Sequence, residues 1–218
     1  MKKISSSFIG SSKLLLGAYD WWFFKVSNTL FWECPTEEVL LPFFLKNLSY
    51  KHLDVGVDTG YYLKNSNITH HYDVSILDIN RSKLDCVERN LFPVRVKTYE
   101  MDVMEENLDG YYDLYNSISI FNLLHSLPGD LEDKEIVFIN LKKMLRSNGI
   151  IYGTTILGED VNHNFIGRKV MKIYNKKNIF GNNNDSVDSL KLILLKNFRN
   201  VDIVLYGKIA LFEARDPI

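Results

Sequence analysis

The stretch His52-Leu53-Asp54-Val55-Gly56-Val57-Asp58-Thr59-Gly60-Tyr61-Tyr62 limits the fold of this chain more than any other. Leu53 and Val55 read as the end of a buried strand, and Gly56 and Gly60 bracket a turn too tight for side chains on its inner wall. In an open α/β sheet, ligands sit in the crevice beyond the carboxyl ends of the strands. A glycine turn after the first strand lets backbone amides and the start of the following helix approach them. The turn is therefore a candidate ligand seat, and the rest of the chain should wrap a parallel sheet around it.

From residue 50 onward short apolar strands alternate with longer amphipathic segments, the rhythm of a doubly wound sheet. Strands are expected over 51–55, 73–78, 94–99, 113–120 and 149–156, and a long helix near 130–146 should stop at Ser147-Asn148-Gly149. The tail, Asn200 to Arg215, reads as two strands joined at Tyr206-Gly207-Lys208, and Gly181 to Asp185 as an asparagine-rich loop. With 218 residues, 46% of them hydrophobic, the chain suits one globular unit with a full core. Its 26 basic and 27 acidic side chains leave no excess positive field for a nucleic-acid backbone, so no nucleic-acid partner is expected. No apolar run reaches the roughly 18–20 residues of a membrane helix, and residues 1–12 lack the features of a secretory signal. Cys34 and Cys86 have no metal-ligand spacing, which together point to a reduced, cytoplasmic protein with no membrane partner.

Residues 17–48 hold an unusual aromatic load: Tyr19, Trp21, Trp22, Phe23, Phe24, Phe31, Trp32, Phe43 and Phe44. Such rings are costly to leave wet, so they either pack as a helical layer on the sheet or form a lid over a site. Thr36 followed by Glu37 and Glu38 reads as a helix start, a hydroxyl cap with acids in the first turn.

Three further constellations carry chemistry. In Val74-Ser75-Ile76-Leu77-Asp78-Ile79-Asn80, Asp78 ends the second strand, where one carboxylate can accept both hydroxyls of a ribose. Ile79 would then lie along an adenine face. The competing reading of Asp78 is a cap for the helix beginning at Ser82. In Tyr99-Glu100-Met101-Asp102-Val103, an acid again ends a strand, although alone it would read as a solvated turn with Glu105, Glu106 and Asp109. The fourth strand runs into Phe121-Asn122-Leu123-Leu124-His125, and His163 follows the fifth. An imidazole takes a proton near neutral pH, so His125 and His163 are candidate bases; a loop histidine can equally serve packing alone. Arg168, Lys169, Lys172, Lys176 and Lys177 could greet an anionic substrate or simply form the wet side of a helix.

The acidic glycine turn, the acidic second and third strand ends and the closing hairpin together resemble class I S-adenosylmethionine-dependent methyltransferases over about Tyr19 to Arg215. Tyr19-Asp20, Val26-Ser27-Asn28 and Trp32-Glu33-Cys34-Pro35-Thr36 resemble the N-terminal cap of a group of small bacterial enzymes in this class. The His163-Asn164 pair and the Tyr174-Asn175-x-Lys177-x-Ile179-Phe180 run resemble features that members of this class carry between strands five and six, where substrate-facing insertions sit. The resemblance implies a Rossmann-like seven-stranded α/β sheet with a C-terminal antiparallel hairpin, divided into a helical cap over 1–48 and a cofactor-binding domain over 49–218. It implies S-adenosylmethionine as cofactor, S-adenosylhomocysteine as product, no metal, and a small-molecule acceptor, with a homodimer left open. Asp54, Gly56, Asp58, Gly60, Asp78, Ile79, Asp102, Val103, Phe121 and Asn122 would line the cofactor, and Tyr19, His125 and His163 are the candidate catalytic groups.

One departure stands out. Asp58 takes the place of the family's middle glycine, and its carboxylate would either repel the cofactor's own or turn outward to an ammonium or amide. Two other readings therefore stay open: a degenerate member that binds only cofactor or a protein partner, and a nicotinamide oxidoreductase. The second lacks the Gly-x-Gly-x-x-Gly spacing.

Overall fold

The β-rich rhythm after residue 50 closes into one sheet, seen in a computed structural model that describes residues 21–105, 112 and 114–218. Its strands are β1 (Lys51–Val55), β2 (Asp73–Asp78), β3 (Lys97–Glu100), β4 (Tyr115–Phe121), β5 (Leu145–Ile156), β6 (Phe198–Tyr206) and β7 (Ile209–Pro217). They lie in the order β3-β2-β1-β4-β5-β7-β6. The first five run parallel, and β7 inserts antiparallel between β5 and β6. This is the expected seven-stranded sheet with its closing hairpin. The strand order reverses between β1 and β4, so the glycine turn at the end of β1 sits at the topological switch point where such sheets bind ligands.

The helices are α1 (Leu41–Asn47), α2 (Tyr61–Lys64), α3 (Arg81–Leu91), α4 (Glu135–Met144), α5 (Phe165–Lys176) and α6 (Val187–Leu195). Successive strand residues point to opposite faces, and helices cover both. On one face Leu53, Val55, Leu77, Ile118, Ile120 and Ile151 pack with Val137, Phe138 and Leu141 of α4 and Leu190 and Ile193 of α6. On the other, Val74, Ile76 and Tyr152 pack with Phe44 of α1, Tyr62 of α2, Leu84 and Val87 of α3, Met171 of α5, and Phe24 and Trp32 from the N-terminal segment.

Several expectations shift in detail. The long helix starts at Glu135 because Asp130 to Lys134 is a turn, with the Lys134 amide donating to the Asp130 carbonyl at 3.2 Å. Ser147-Asn148-Gly149 does not end that helix: the chain is already in β5, and these residues form a break in its pairing, where register jumps from Tyr115↔Leu145 to Ser117↔Ile150. β3 begins at Lys97 and not near 94. The helix after the glycine turn has only four residues, too short for its dipole to contribute much. Thr36 does not cap the helix it opens. Its hydroxyl donates to the Phe24 carbonyl at 2.5 Å and accepts from Asn28 Nδ2 at 2.9 Å, stapling together the two π-wound segments Trp21–Ser27 and Thr36–Leu40. Tyr19 and Asp20, and the acids Glu106 and Asp109, lie outside the described residues. Among the described residues no helix is long and apolar enough to cross a membrane, and no three His, Cys, Asp or Glu side chains cluster as metal ligands.

Candidate active site

The turn after β1 is built as its glycines require. Gly56 and Gly60 hold φ of +74° and +75°, and a Cβ at either would press into Leu123 or Val87. The Gly56 amide donates to the Leu77 carbonyl at 2.8 Å, and Asn90 Nδ2 of α3 donates to the Thr59 carbonyl at 3.0 Å, so the loop is tied to both β2 and α3. Asp58 stands between the glycines at φ +46°, in the left-handed region that suits the glycine it replaces.

Its carboxylate does not hang free. Lys83 Nζ of α3 lies 3.4 Å from Asp58 Oδ1 and 4.0 Å from Asp78 Oδ2. Burial works against the Lys83 ammonium, but Asp58 and Asp78 together outweigh it and hold its pKa above the ordinary lysine range. Asp78 is buried, and that burial raises its pKa against the pull of Lys83 and the Asn80 amide, which donates to Oδ1 at 2.8 Å. The helix cap is Asn80, whose side chain accepts from the Ser82 amide at 3.0 Å, so the capping role that competed for Asp78 belongs to its neighbour. Ile79 is half exposed beside it, an apolar side chain left open to solvent. One strand further out, Asp102 Oδ1 accepts from the Met104 amide at 2.9 Å in a turn, while Val103 is buried in the sheet core. Lys83 went unread in the sequence. Its position in the first turn of the helix after Asp78 is the signal that could have found it.

At the end of β4 the backbone of Asn122 takes φ +55°, and its amide donates to the Thr154 carbonyl at 3.1 Å. The Phe121 ring turns inward among Phe43, Phe44, Tyr62 and Tyr152, with centroids 4.6–6.1 Å away. Its side chain is therefore core, which leaves only its main chain to serve a ligand. Beneath it runs a second feature missed in the sequence, a row of buried polar groups on alternate residues of β1 and β4. Ser117 Oγ lies 2.8 Å from His52 Nδ1, Ser119 Oγ lies 3.1 Å from His52 Nε2, and the Ser119 hydroxyl donates to Asp54 Oδ1 at 2.5 Å. The register pairs His52 with Ser117 and Asp54 with Ser119. Burial pushes the Asp54 carboxyl up to about 7, against the Ser119 hydrogen bond and with Asp78 adding to the rise. Polar residues two apart in otherwise apolar strands were the available signal.

The two histidines named from sequence stand in different surroundings. His125 is fully buried against Phe180, its Nδ1 accepts from the Ile156 amide at 3.3 Å, and burial lowers its pKa to about 3. That leaves its lone pair occupied. His163 Nε2 lies 2.9 Å from the Leu157 carbonyl, which can only accept, so Nε2 carries the proton and Nδ1 keeps its lone pair. Nδ1 is buried without a partner, with the Trp32 ring edge-on at 5.9 Å, and burial lowers the ring's pKa so that it stays neutral.

The N-terminal segment is latched over this region. The Lys208 amide donates to the Trp32 carbonyl at 2.8 Å, and its ammonium meets Glu33 Oε2 at 2.9 Å. Asn164, which caps α5 through the Gly167 amide, also donates to the Leu30 carbonyl at 2.9 Å and Glu33 Oε1 at 3.1 Å. Gly207 is obligatory here, since a Cβ would collide with the Trp32 and Glu33 carbonyls.

No family model matches the chain. Among individual proteins it is 40% identical to an uncharacterised protein of Escherichia coli K12, YbcY, over 87% of this chain and 97% of that one. It is 32% identical to the physcion biosynthesis cluster O-methyltransferase of Aspergillus chevalieri, over 94% and 92% of the two chains. Its fold matches that of the N-methyltransferase NodS from Bradyrhizobium japonicum, solved with S-adenosyl-L-homocysteine, at a TM-score of 0.53 and 13% identity over 77% of this chain and 78% of that one.

Proposed function

This chain belongs to the class I S-adenosylmethionine-dependent methyltransferases, and from that premise we propose that it methylates a small-molecule acceptor, at oxygen, beneath the cap formed by residues 21–48. It is an enzyme, and its cofactor is S-adenosylmethionine. The cofactor supplies an activated methyl group, so the protein's task is to align the acceptor, exclude water and take up a proton.

In this reading Asp78 accepts the ribose hydroxyls through Oδ2 and the free lone pair of Oδ1, and Ile79 covers the adenine. Asp102 and the Val103 amide read the adenine edge. Asp54, with Gly56, Asp58 and Gly60 of the turn and the main chain of Phe121 and Asn122, faces the amino-acid part. The residues suit such a ligand chemically: hydroxyl and ammonium donors would meet carboxylates, and a flat base would meet an exposed aliphatic side chain. The acceptor lies nearer Trp32 and His163. His163 is the base in this reading: the Leu157 carbonyl fixes the tautomer that leaves Nδ1 bare, and that nitrogen, closed off from solvent in the unliganded protein, would receive the acceptor hydroxyl's proton once the acceptor is seated against it. His125 is assigned packing. Fungal relatives with O-methyltransferase names support oxygen as the acceptor atom, beside one named an N-methyltransferase.

The observation that carries the proposal is the placing of Asp54 in β1, Asp78 at the end of β2 and Asp102 just beyond β3 on three neighbouring strands, on one side of the switch point between β1 and β4. Thermal shift with S-adenosylmethionine, S-adenosylhomocysteine and NAD tests the seat, and stabilisation by the first two alone is expected. Methyl transfer to a panel of phenols should follow, with His163→Ala lowering kcat about 10²–10⁴-fold. Cofactor binding without turnover on any acceptor would favour the degenerate reading that Asp58 raised.

A further inference from the structure

We propose that His52 is a positioning residue: through Ser119 its ring tautomer is coupled to the ionisation of Asp54, so that a buried hydrogen-bond chain starting at Ser49 governs the charge at the cofactor seat. The proposal rests on the reading of Asp54 as part of that seat.

The proton positions along the chain follow from counting hydrogens. An ionised Asp54 only accepts, so the single Ser119 hydroxyl proton goes to it, and Ser119 must accept from His52 Nε2–H. Nδ1 is then bare and accepts the Ser117 hydroxyl. Ser117 in turn accepts from the Ser49 amide at 3.0 Å and from the Ser49 hydroxyl at 2.7 Å. Every hydrogen points toward Asp54.

A proton taken from solvent at half-buried Ser49 and passed on hop by hop forms a new O–H on Asp54. Each group along the way keeps the hydrogen handed to it by its neighbour. The result is a neutral Asp54 that donates to Ser119, and Ser119 donates to Nε2. His52 is now protonated on Nδ1, which donates to Ser117. Ser117 donates to Ser49, and the Ser49 hydroxyl finds the Lys51 carbonyl at 3.3 Å. Both states are fully hydrogen-bonded, and they differ by one proton and one tautomer. Burial keeps the His52 ring neutral, at about 3, so it relays and does not store charge.

The groups facing Asp54 are Asp78 from β2, Ser119 from β4, Tyr152 from β5 and Tyr62 from α2. Tyr152 lies close enough to feel Ser119 and Asp54, yet its hydroxyl makes no hydrogen bond of ordinary geometry. Ser119 is therefore the hydroxyl that feeds the carboxylate.

The test uses the intact apo protein, with nitrogen-15 histidine spectra and carbon-13 carboxyl spectra recorded from pH 5.5 to 8.5. The expected result is that the His52 tautomer changes from Nδ1–H to Nε2–H with the same midpoint as the Asp54 carboxyl. In Ser119→Ala the tautomer should no longer follow, and the Asp54 midpoint should rise by about one pH unit, because the ionised form has lost a donor. Ser119→Thr, which keeps the hydroxyl, should restore the coupling. Titration with S-adenosylhomocysteine should then show Ser119→Ala binding about fivefold more weakly at pH 7, the ratio of the ionised fractions for midpoints one unit apart, and like the parent at pH 9. A His52 ring whose tautomer stays fixed while Asp54 titrates overturns the proposal, and so does an Asp54 midpoint unmoved in Ser119→Ala. If the parent binds no S-adenosylhomocysteine at any pH, the functional reading falls, and the apo spectra still decide the relay.

Discussion

The two faces of this sheet come from the same strands, one residue out of step, and they differ in kind. Toward α4 and α6 the strands present Leu53, Val55, Ile118, Ile120 and Ile151. Toward α1, α2 and α3, β1 and β4 present His52, Asp54, Ser117, Ser119 and Phe121, with Tyr152 and Thr154 alongside on β5. Burying polar groups is tolerable only where each finds a partner, and the second face provides one for most of them. The first face holds the fold together by area and packing, whereas the second gives up some of that stability to place charge and hydrogen-bond donors under a crevice.

That contrast predicts which measurements each face should move. The largest effect should come from the dry face: Phe138→Ala removes a fully buried ring that meets Phe212 edge-on at 5.9 Å. It should cost about 3–5 kcal/mol of unfolding free energy in denaturant titrations while leaving cofactor affinity in the folded fraction unchanged. An equal loss of affinity would mean that the faces are not separable. Next in size, Asp78→Ala on the crevice side should weaken S-adenosylhomocysteine binding by about 150-fold, the value of two hydrogen bonds to a charged group at about 1.5 kcal/mol each, with little change in thermal midpoint. A variant that binds as the parent does would take Asp78 out of the seat.

Much of this division was legible from residues alone, for a physical reason. β1 and β2 were placed to the residue, and the glycine turn and the β6–β7 hairpin were found, because alternation, glycine and a run of apolar residues are local properties of the chain. What escaped depended on register. The contact of His52 with Ser117 and Ser119 joins positions about 65 residues apart, and nothing short of the β1–β4 pairing brings them together. Lys83 was hidden in the same way, since its value lies in facing both Asp58 and Asp78 across a turn. Thr36 carried the sequence pattern of a cap yet bonds the Phe24 carbonyl, 12 residues back, because tertiary packing offered a better acceptor.

A third prediction sharpens the comparison through pH. Asp54 in the folded protein holds its proton up to about 7, whereas the unfolded chain releases it near the ordinary value of 3.8. Between those limits the native state binds the extra proton, so this group's contribution to stability is full below the lower value. It falls as pH rises through the window and is flat above about 7. The decline is at most about 1.4 kcal/mol per pH unit. Asp185, also raised by burial, to about 6, contributes a decline of the same sign, so the informative quantity is the difference between parent and Asp54→Asn. Unfolding curves at pH 5 and pH 8 should show the variant losing less stability across that interval. Parallel losses in the two proteins would place the Asp54 midpoint outside it.

The smallest effect concerns Asp58, where the chain departs from the family's glycine. At φ +46° a residue with a Cβ is strained, and Asp58→Gly relieves that strain. It also removes a negative charge next to the place proposed for the cofactor's own carboxylate. Against this, Lys83 already neutralises Asp58 from 3.4 Å, and without Asp58 that ammonium would bear on Asp78 alone, competing with the ribose hydroxyls. The opposing terms leave a net gain of about two- to fivefold in S-adenosylhomocysteine affinity, the size of one solvent-screened charge interaction and within the reach of calorimetry. The cycle with Lys83→Met separates them: if Lys83 screens Asp58, Asp58→Gly should gain more in the Lys83→Met background than in the parent. Weaker binding in Asp58→Gly would show the opposite arrangement, in which the carboxylate holds the cofactor's ammonium and the substituted glycine is part of the grip.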